Sequence, residues 1–420
     1  MPSAERPALV SPDEGTAAFG CLSPGVGAPV GLGSPRPAPF FDARRRRTDY
    51  AGPGREVPEP ARAAEVLIGY FGPSDPADPL GGDLWRAASL AVEEANARGG
   101  RRGKPFRLLP VWSENPWGSG IARLTRMVYG KGVWALVGGI DGPSTHLAEQ
   151  VVAKARLALV SPVASDPSVN LANVPWTFSV APDGERVAET LAGAVAAQGV
   201  AGRLLLLASD GHDARVLAAE VERALTRRGL GLLYRFRFRG GDEEALGAVA
   251  RRAAGARPTA VVLAAGPVEA ARMLRALRRA GVRAPVFGGP AMGRRALLEA
   301  AGPAAEGVVF PLPADPGAGR RFAEVFRRRH GHAPDWAAVC TYDAVRLVVA
   351  AVERAGLNRV RIRDALAALG PWPGAAGAVV WDGLGRNRRG VVLATVRGGR
   401  VIPMPAPRGP SAARAVSLPR

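Results

Sequence analysis

From residue 66 to residue 313 the sequence alternates between short aliphatic runs and longer amphipathic stretches. VLIGY, FRLLPVW, WALVGG, LALVSP, RLLLLAS, TAVVLAAG, PVFGG and GVVFPLP are each followed by turn residues. The intervals predict helices over 83–98, 120–129, 145–154, 184–198, 214–228, 243–254, 268–280 and 320–330. In the first of these, Leu84, Ala88, Ala91, Val92 and Ala95 share one face. Strands that alternate with helices lie parallel, because successive parallel strands need a crossover connection. The predicted class is therefore α/β. So many units favour two sheets over one, and WTFSVAPD (Trp176–Asp183) reads as a strand that crosses between them.

A chain of 420 residues also exceeds the roughly 250–300 residues over which one core grows, which fits two lobes plus tails. Residues 1–63 are rich in Pro, Gly and Ala, include Arg44–Arg47 in a row and lack periodicity. They are expected to be disordered, as is the tail at 404–420. The 56 Lys+Arg against 37 Asp+Glu give a net charge of +19, a balance that makes an anionic partner worth weighing. The arginines are nevertheless scattered over the helices (Arg223, Arg251, Arg272), with no aromatic-rich basic ribbon. They read as solvated faces, and no nucleic-acid partner is expected. Cys21 and Cys340 are the only cysteines, too few for a disulfide framework or a CxxC metal site. No run reaches the roughly 18 apolar residues of a membrane span. Residues 1–35 lack the basic segment and apolar run of a secretory signal, with Asp13 and Glu14 shortly before Cys21. Either the protein stays in the cytoplasm, or Met1 is not the native start.

In open α/β sheets, ligands bind beyond the carboxyl ends of strands, where helix N-termini offer free N–H donors. Two segments have that form: GGIDGPST (Gly138–Thr145), and SPVASDPS (Ser161–Ser168) after the run LALV. Together they would set the hydroxyls of Ser144, Thr145 and Ser165 and several N–H groups around a cleft suited to a carboxylate. Equally, Ser144 or Thr145 is the N-cap of the next helix, and Ser165 with Asp166 forms a turn before Pro167. No Lys-Ser/Thr follows Gly142, so this is no phosphate loop. Of the four histidines, His330 and His332 read as a loop rather than a metal tract. Asp210, His212 and Asp213 form the one group with hydrolytic character, and a helix-capping or cleft-lining loop fits it better. The motifs of serine hydrolases and zinc proteases are missing. No enzyme activity, metal or cofactor is expected.

From Glu65 to about Val401 the chain resembles the type I periplasmic solute-binding proteins of the leucine/isoleucine/valine-binding family, receptor subunits of ABC importers. The resemblance is carried by VLIGYFGPSDPADPLGGDLWRAASLAVEEANARGG, VGGIDGPSTHLAEQVVAKARLALVSPVAS, TYDAVRLVVAAVERAG and GAVVWDGLGRNRRG. It implies two Rossmann-like lobes joined by three crossover strands and closing on a small solute. Lobe 1 would comprise 64–181 and 313–375, and lobe 2 would comprise 182–312 and 376–403. The implied first-lobe contacts are Leu80, Gly142, Ser144, Thr145, Val163 and Ser165. On the second lobe they are His212 or Asp213, Gly266, and Pro290 or Ala291.

The resemblance further implies a branched-chain amino acid or related carboxylate or amide as solute, the membrane subunits of an ABC importer as partners, a periplasmic location, and a monomer or weak dimer. The alternative is a cytoplasmic ligand sensor built on the same clamshell. The chain departs from the amino-acid-binding pattern in three places. The usual serine is Gly142, the aromatic positions of the second lobe are Asp213 and Gly266, and the acid that pairs with an α-ammonium is Pro290 or Ala291. A buried ammonium without a carboxylate is unfavourable, so Asp213 or Asp141 would have to replace it. The first-lobe cysteine bridge of some members is replaced by Pro116 and Asp141.

Overall fold

The computed structural model describes residues 49–405 apart from 172, 173, 200 and 201. Cys21, the Arg44–Arg47 run, the tail from 406 and the side chain of Pro116 lie outside the described residues. Strands β1 (Val66–Phe71), β2 (Phe106–Val111), β3 (Ala135–Gly138), β4 (Leu159–Ser161) and β5 (Thr177–Pro182) form one parallel sheet, ordered β5-β4-β3-β1-β2. The chain then enters a second sheet. There β6 (Leu204–Ser209), β7 (Leu232–Phe238), β8 (Ala260–Ala264), β9 (Val286–Gly288) and β10 (Val309–Leu312) run parallel in the order β10-β9-β8-β6-β7. Arg386–Asn387 (β11) adds to β5 of the first sheet, while β12 (Val392–Arg397) and β13 (Arg400–Pro403) extend the second beside β10, antiparallel. Two sheets and three crossings result, as the α/β alternation and the resemblance imply.

Helices α1 (Gly82–Ala97), α2 (Ile121–Gly130), α3 (Gly142–Ala155) and α4 (Pro167–Leu171) accompany the first sheet. The second has α5 (Gly184–Ala197), α6 (His212–Arg227), α7 (Glu243–Gly255), α8 (Pro267–Arg279) and α9 (Arg295–Ala301). The chain returns through α10 (Arg320–His330), α11 (Trp336–Ala355) and α12 (Arg359–Ala367). Helix α11 is apolar nearly all round, with Val345, Leu347, Val348, Ala351 and Val352 buried, because it lies between α1 and the first sheet. Its start is fixed by Asp335, whose carboxylate accepts from the N–H groups of Ala337 and Ala338. No helix among the described residues is long and apolar enough to cross a membrane.

Three expectations need correction. Residues 49–63 were expected to be disordered, yet Tyr50 is buried with its ring 4.6 Å from that of Trp176. Arg55 pairs with Asp364 at 2.6 Å, and Asn358 donates to the Gly54 carbonyl at 2.8 Å. One aromatic ring among prolines and glycines carries no periodic signal, although it closes the floor of the first lobe. The third crossing falls after Asn387, not at 375/376. Asp343 accepts from the N–H groups of Ala375 and Ala376, and the Asn387 amide donates to the Val180 carbonyl at 2.7 Å, holding 376–387 on the first lobe. Strand β7, LLYRFRF, is missing from the predicted runs because Arg235 and Arg237 interrupt it. It is an edge strand with exposed arginines, an arrangement that discourages pairing with other chains.

Cys340 is fully buried on α11, and burial pushes its thiol up to about 12. A thiol so placed holds almost no reactive thiolate at neutral pH. In a Cys21→Ser variant, a maleimide reagent is expected to label the native chain negligibly and the denatured chain once. Rapid labelling of the native protein would contradict this burial.

Candidate functional site

Three loops leave the carboxyl ends of β3, β4 and β6 and meet between the sheets. After β3 the chain turns through Gly138 and Gly139, with φ of 145° and 79°. A side chain at Gly138 would collide with the Phe71 carbonyl, and one at Gly139 with Thr145, so only glycine admits this turn. The turn delivers Asp141 as the N-cap of α3. Its carboxylate accepts from the Ser144 N–H at 2.8 Å, and the Ser144 hydroxyl accepts from the N–H groups of Ile140 and Asp141 at 3.1 and 3.3 Å. Such a box stabilises a helix start by about 1 kcal/mol. The Thr145 hydroxyl donates to the Asp141 carbonyl at 2.7 Å. Ser144 and Thr145 are both fully buried. The N-cap is therefore Asp141 rather than Ser144 or Thr145, and the two hydroxyls bond back to it within the first turn of α3.

With Pro143 lacking a donor and Ser144 capped, the Gly142 N–H is left at the tip of α3. It donates to both carboxylate oxygens of Asp213, each at 3.1 Å, across the gap between the lobes. Asp213 sits in the first turn of α6, after β6. A Cβ at residue 142 would collide with Asp213 Oδ1, so glycine is what lets this carboxylate approach. Asp213 as a residue is exposed to solvent, with its carboxylate turned toward Gly142. Desolvation still raises its pKa, the charges of Asp141 and Asp166 add to the rise, and the Gly142 N–H opposes it.

Beside this contact, Asp166 gathers two histidines. Asp166 Oδ2 lies 2.7 Å from His212 Nε2 and 3.3 Å from His146 Nε2, while Oδ1 accepts from the Ser168 N–H and hydroxyl. His146 Nδ1 is 3.0 Å from the buried Glu149. Burial disfavours the charged form of Asp166, but these partners together hold it well below the usual carboxylate range. Asp166, followed by Glu149, raises His146 to about 10. The sequence places Asp166 in a turn and gives His146 and Glu149 no role. The signal available was the i, i+3 spacing of His146 and Glu149 on one helix.

The remaining expected contacts divide. Val163 is buried and Ser165 half-buried on the loop after β4. The Leu80 carbonyl accepts from Arg294 of the second lobe at 2.5 Å. Gly266 caps α8, and its N–H donates to Glu269 at 3.3 Å, an acid that also accepts from Ser209. These contacts stay within the second lobe. Pro290 is buried, and its carbonyl accepts from Trp336 Nε1 at 2.9 Å, while Ala291 is half-buried. The suspected hydrolytic group does not assemble: Asp210 faces Arg237 and Arg239, His212 faces Asp166, and Asp213 faces Gly142. His330 packs edge-on to Phe326 and His332 lies 3.5 Å from Asp83, so these two do not share a metal pocket.

Two parallel α/β lobes are thus joined by three crossings, and the loops at their strand ends meet through Gly142–Asp213 and Asp166–His212. The sequence profile of the periplasmic binding proteins matches residues 66–400. The chain belongs to the periplasmic binding protein family. Among solved periplasmic binding proteins, it is similar to an ABC transporter substrate-binding protein of Desulfitobacterium hafniense in complex with leucine. That likeness has 25% identity and a TM-score of 0.70, over 81% of this chain and all of the other. The leucine-binding protein LivK of Thermotoga maritima shares the fold at 21% identity and a TM-score of 0.74, over 81% of this chain and 98% of its own. A Rhodopseudomonas palustris solute-binding protein in complex with benzoate does so at 16% and 0.70, over 81% and 95%. A Pseudomonas aeruginosa amino acid binding protein is 32% identical over 107 residues, which span 25% of this chain and 29% of that protein.

Proposed function

We propose that the chain is a periplasmic receptor that encloses a small organic carboxylate between its lobes and delivers it to the membrane subunits of an ABC importer. The observation that carries this reading is the Gly142 N–H at the α3 terminus, which already accommodates a carboxylate, that of Asp213. The cleft would be lined by Leu80, Gly142, Val163 and Ser165 on one side and by Asp213, Gly266 and Pro290 on the other. Ser144 and Thr145 would act as the frame behind Gly142. The lobes would be divided at 182, 313 and 388. The solved relatives described with leucine and with benzoate have a carboxylate in common.

A monocarboxylate without an ammonium group suits this chain better than a zwitterion. The position of the expected acid is Pro290 or Ala291, while Asp141 and Asp213 already accept from Ser144 and Gly142. Ligand that touches both lobes only when they are closed favours closure by its differential affinity. Isothermal calorimetry against benzoate, short branched-chain carboxylates, their amides, leucine and isoleucine tests the reading. Saturable 1:1 binding of a carboxylate, with its amide much weaker, is expected. Binding of none of the panel would remove the reading's support.

A further inference from the structure

We infer that His146, Asp166 and His212 form a transition-metal site that bridges the two lobes, suited to Zn2+. His146 and Asp166 belong to the first lobe and His212 to the second. One donor atom from each lies within 4.8 Å of the other two. Two imidazoles and a carboxylate are a donor set that zinc takes in three-ligand sites, with a fourth position open to water or another oxygen.

The geometry comes close to what the ion requires. Tetrahedral bonds of about 2.0–2.1 Å place neighbouring donors about 3.3 Å apart. His146 Nε2 and Asp166 Oδ2 are separated by 3.3 Å. His212 Nε2, now 2.7 Å from the same oxygen, has to withdraw by only about 0.6 Å to meet that spacing. His212 opens the second-lobe helix α6, so a small change in lobe closure supplies that movement.

The surroundings point the same way. A zinc-bound histidine characteristically donates its other ring nitrogen to a carboxylate, which fixes the tautomer and the ring plane. His146 Nδ1 has that partner in Glu149, at 3.0 Å, and Glu149 is 3% exposed with Oε1 lacking a hydrogen-bond partner. Asp166 Oδ1 is held in turn by the Ser168 N–H and hydroxyl; that hydroxyl also lies 2.8 Å from His146 Nε2, a contact the ion would replace in binding Nε2 and Oδ2. Two buried carboxylates beside two imidazoles also carry enough negative charge to compensate a divalent cation. An open depression lined by Trp117, Pro143, Gln150 and Val174 has both histidines on its wall and gives an entry path. The site lies next to the Gly142–Asp213 contact without sharing its residues, so it goes beyond the carboxylate reading. Zinc binding without a carboxylate ligand, or the reverse, separates the two.

The test is calorimetric titration of the EDTA-treated, dialysed full chain with ZnCl2, with MgCl2 as comparison. One saturable equivalent of Zn2+ and no Mg2+ binding are expected. His146→Ala, His212→Ala and Asp166→Asn should each weaken Zn2+ at least 100-fold, and Glu149→Gln 10- to 100-fold, while a His330→Ala/His332→Ala double variant binds as the parent does. Should a variant fail to fold, diethylpyrocarbonate footprinting of the unsubstituted chain answers the same question. Zn2+ should protect His146 and His212 but not His332. Absence of saturable binding, undiminished affinity in His212→Ala, or unprotected His146 and His212 each overturns the site.

Discussion

Replacing Asp335 by alanine is expected to lower the unfolding free energy by about 3–5 kcal/mol, the range for removing one partner of a buried ion pair. The Asp335 and Arg294 side chains are only 6% and 9% exposed and meet at 2.7 Å. Asp335 also accepts from the N–H groups of Ala337 and Ala338 at the start of α11 and from that of Arg295. The substitution therefore uncaps the longest helix of the first lobe and strands a buried guanidinium that also holds the Leu80 carbonyl. Denaturant melts at pH 7 measure the loss as a lower midpoint at similar slope. Asp335→Asn, which keeps a capping oxygen but not the charge, should fall between. Burial alone would raise the Asp335 pKa, yet the Arg294 charge and the N–H donors together lower it. A folded pKa below the unfolded one, near 4 for aspartate, means that the contribution is present in full above that unfolded value. It is lost as pH falls through the lower, folded one. The gap between parent and Asp335→Ala should thus be widest near neutrality and close in acid. A gap below 1 kcal/mol at pH 7 would show that Arg294 finds another partner.

The fold was legible because its strongest determinant is local. Aliphatic runs of strand length, each closed by a turn and followed by a helical period, can be satisfied only by parallel sheets covered with helices. What escaped the reading is what depends on contacts distant in sequence. Tyr50 matters through Trp176, and Asn387 belongs to the first lobe through Val180. The candidate site repeats this division. The WALVGGIDG break was visible as a helix start at a strand end, and its glycines follow from the turn. The fate of the Ser144 and Thr145 hydroxyls was open, because capping and ligand binding call for the same residue types at the same place. Asp166 reads as a turn residue beside Pro167, and only the fold brings His146 from α3 and His212 from α6 to it.

Removing the Asp213 carboxylate is expected to strengthen the binding of a carboxylate solute by about 10- to 100-fold. In the proposed cleft the solute's anionic group and Asp213 compete for the same donor, the Gly142 N–H, which Asp213 engages through both oxygens at 3.1 Å. A hydrogen bond to a charged group contributes about 1.5–3 kcal/mol, and each 1.4 kcal/mol is about tenfold in affinity. Asp213→Ala frees the donor and also takes a like charge away from the incoming anion, so both effects act in one direction. Loss of an interlobe contact acts in the other, by making closure less favourable in the unliganded chain, and it reduces the gain without reversing it. Gly142→Ser supplies a second route, since its Cβ would collide with Asp213 Oδ1 and displace the carboxylate while leaving the N–H in place. Calorimetry with benzoate and leucine on the parent and both variants separates the possible roles. Competition predicts a gain for benzoate that is larger than any gain for leucine. If Asp213 instead turns to meet an α-ammonium, Asp213→Ala weakens leucine by a comparable factor and leaves benzoate nearly unchanged. That result would make the solute an amino acid and Asp213 the replacement for the acid missing at Pro290 and Ala291.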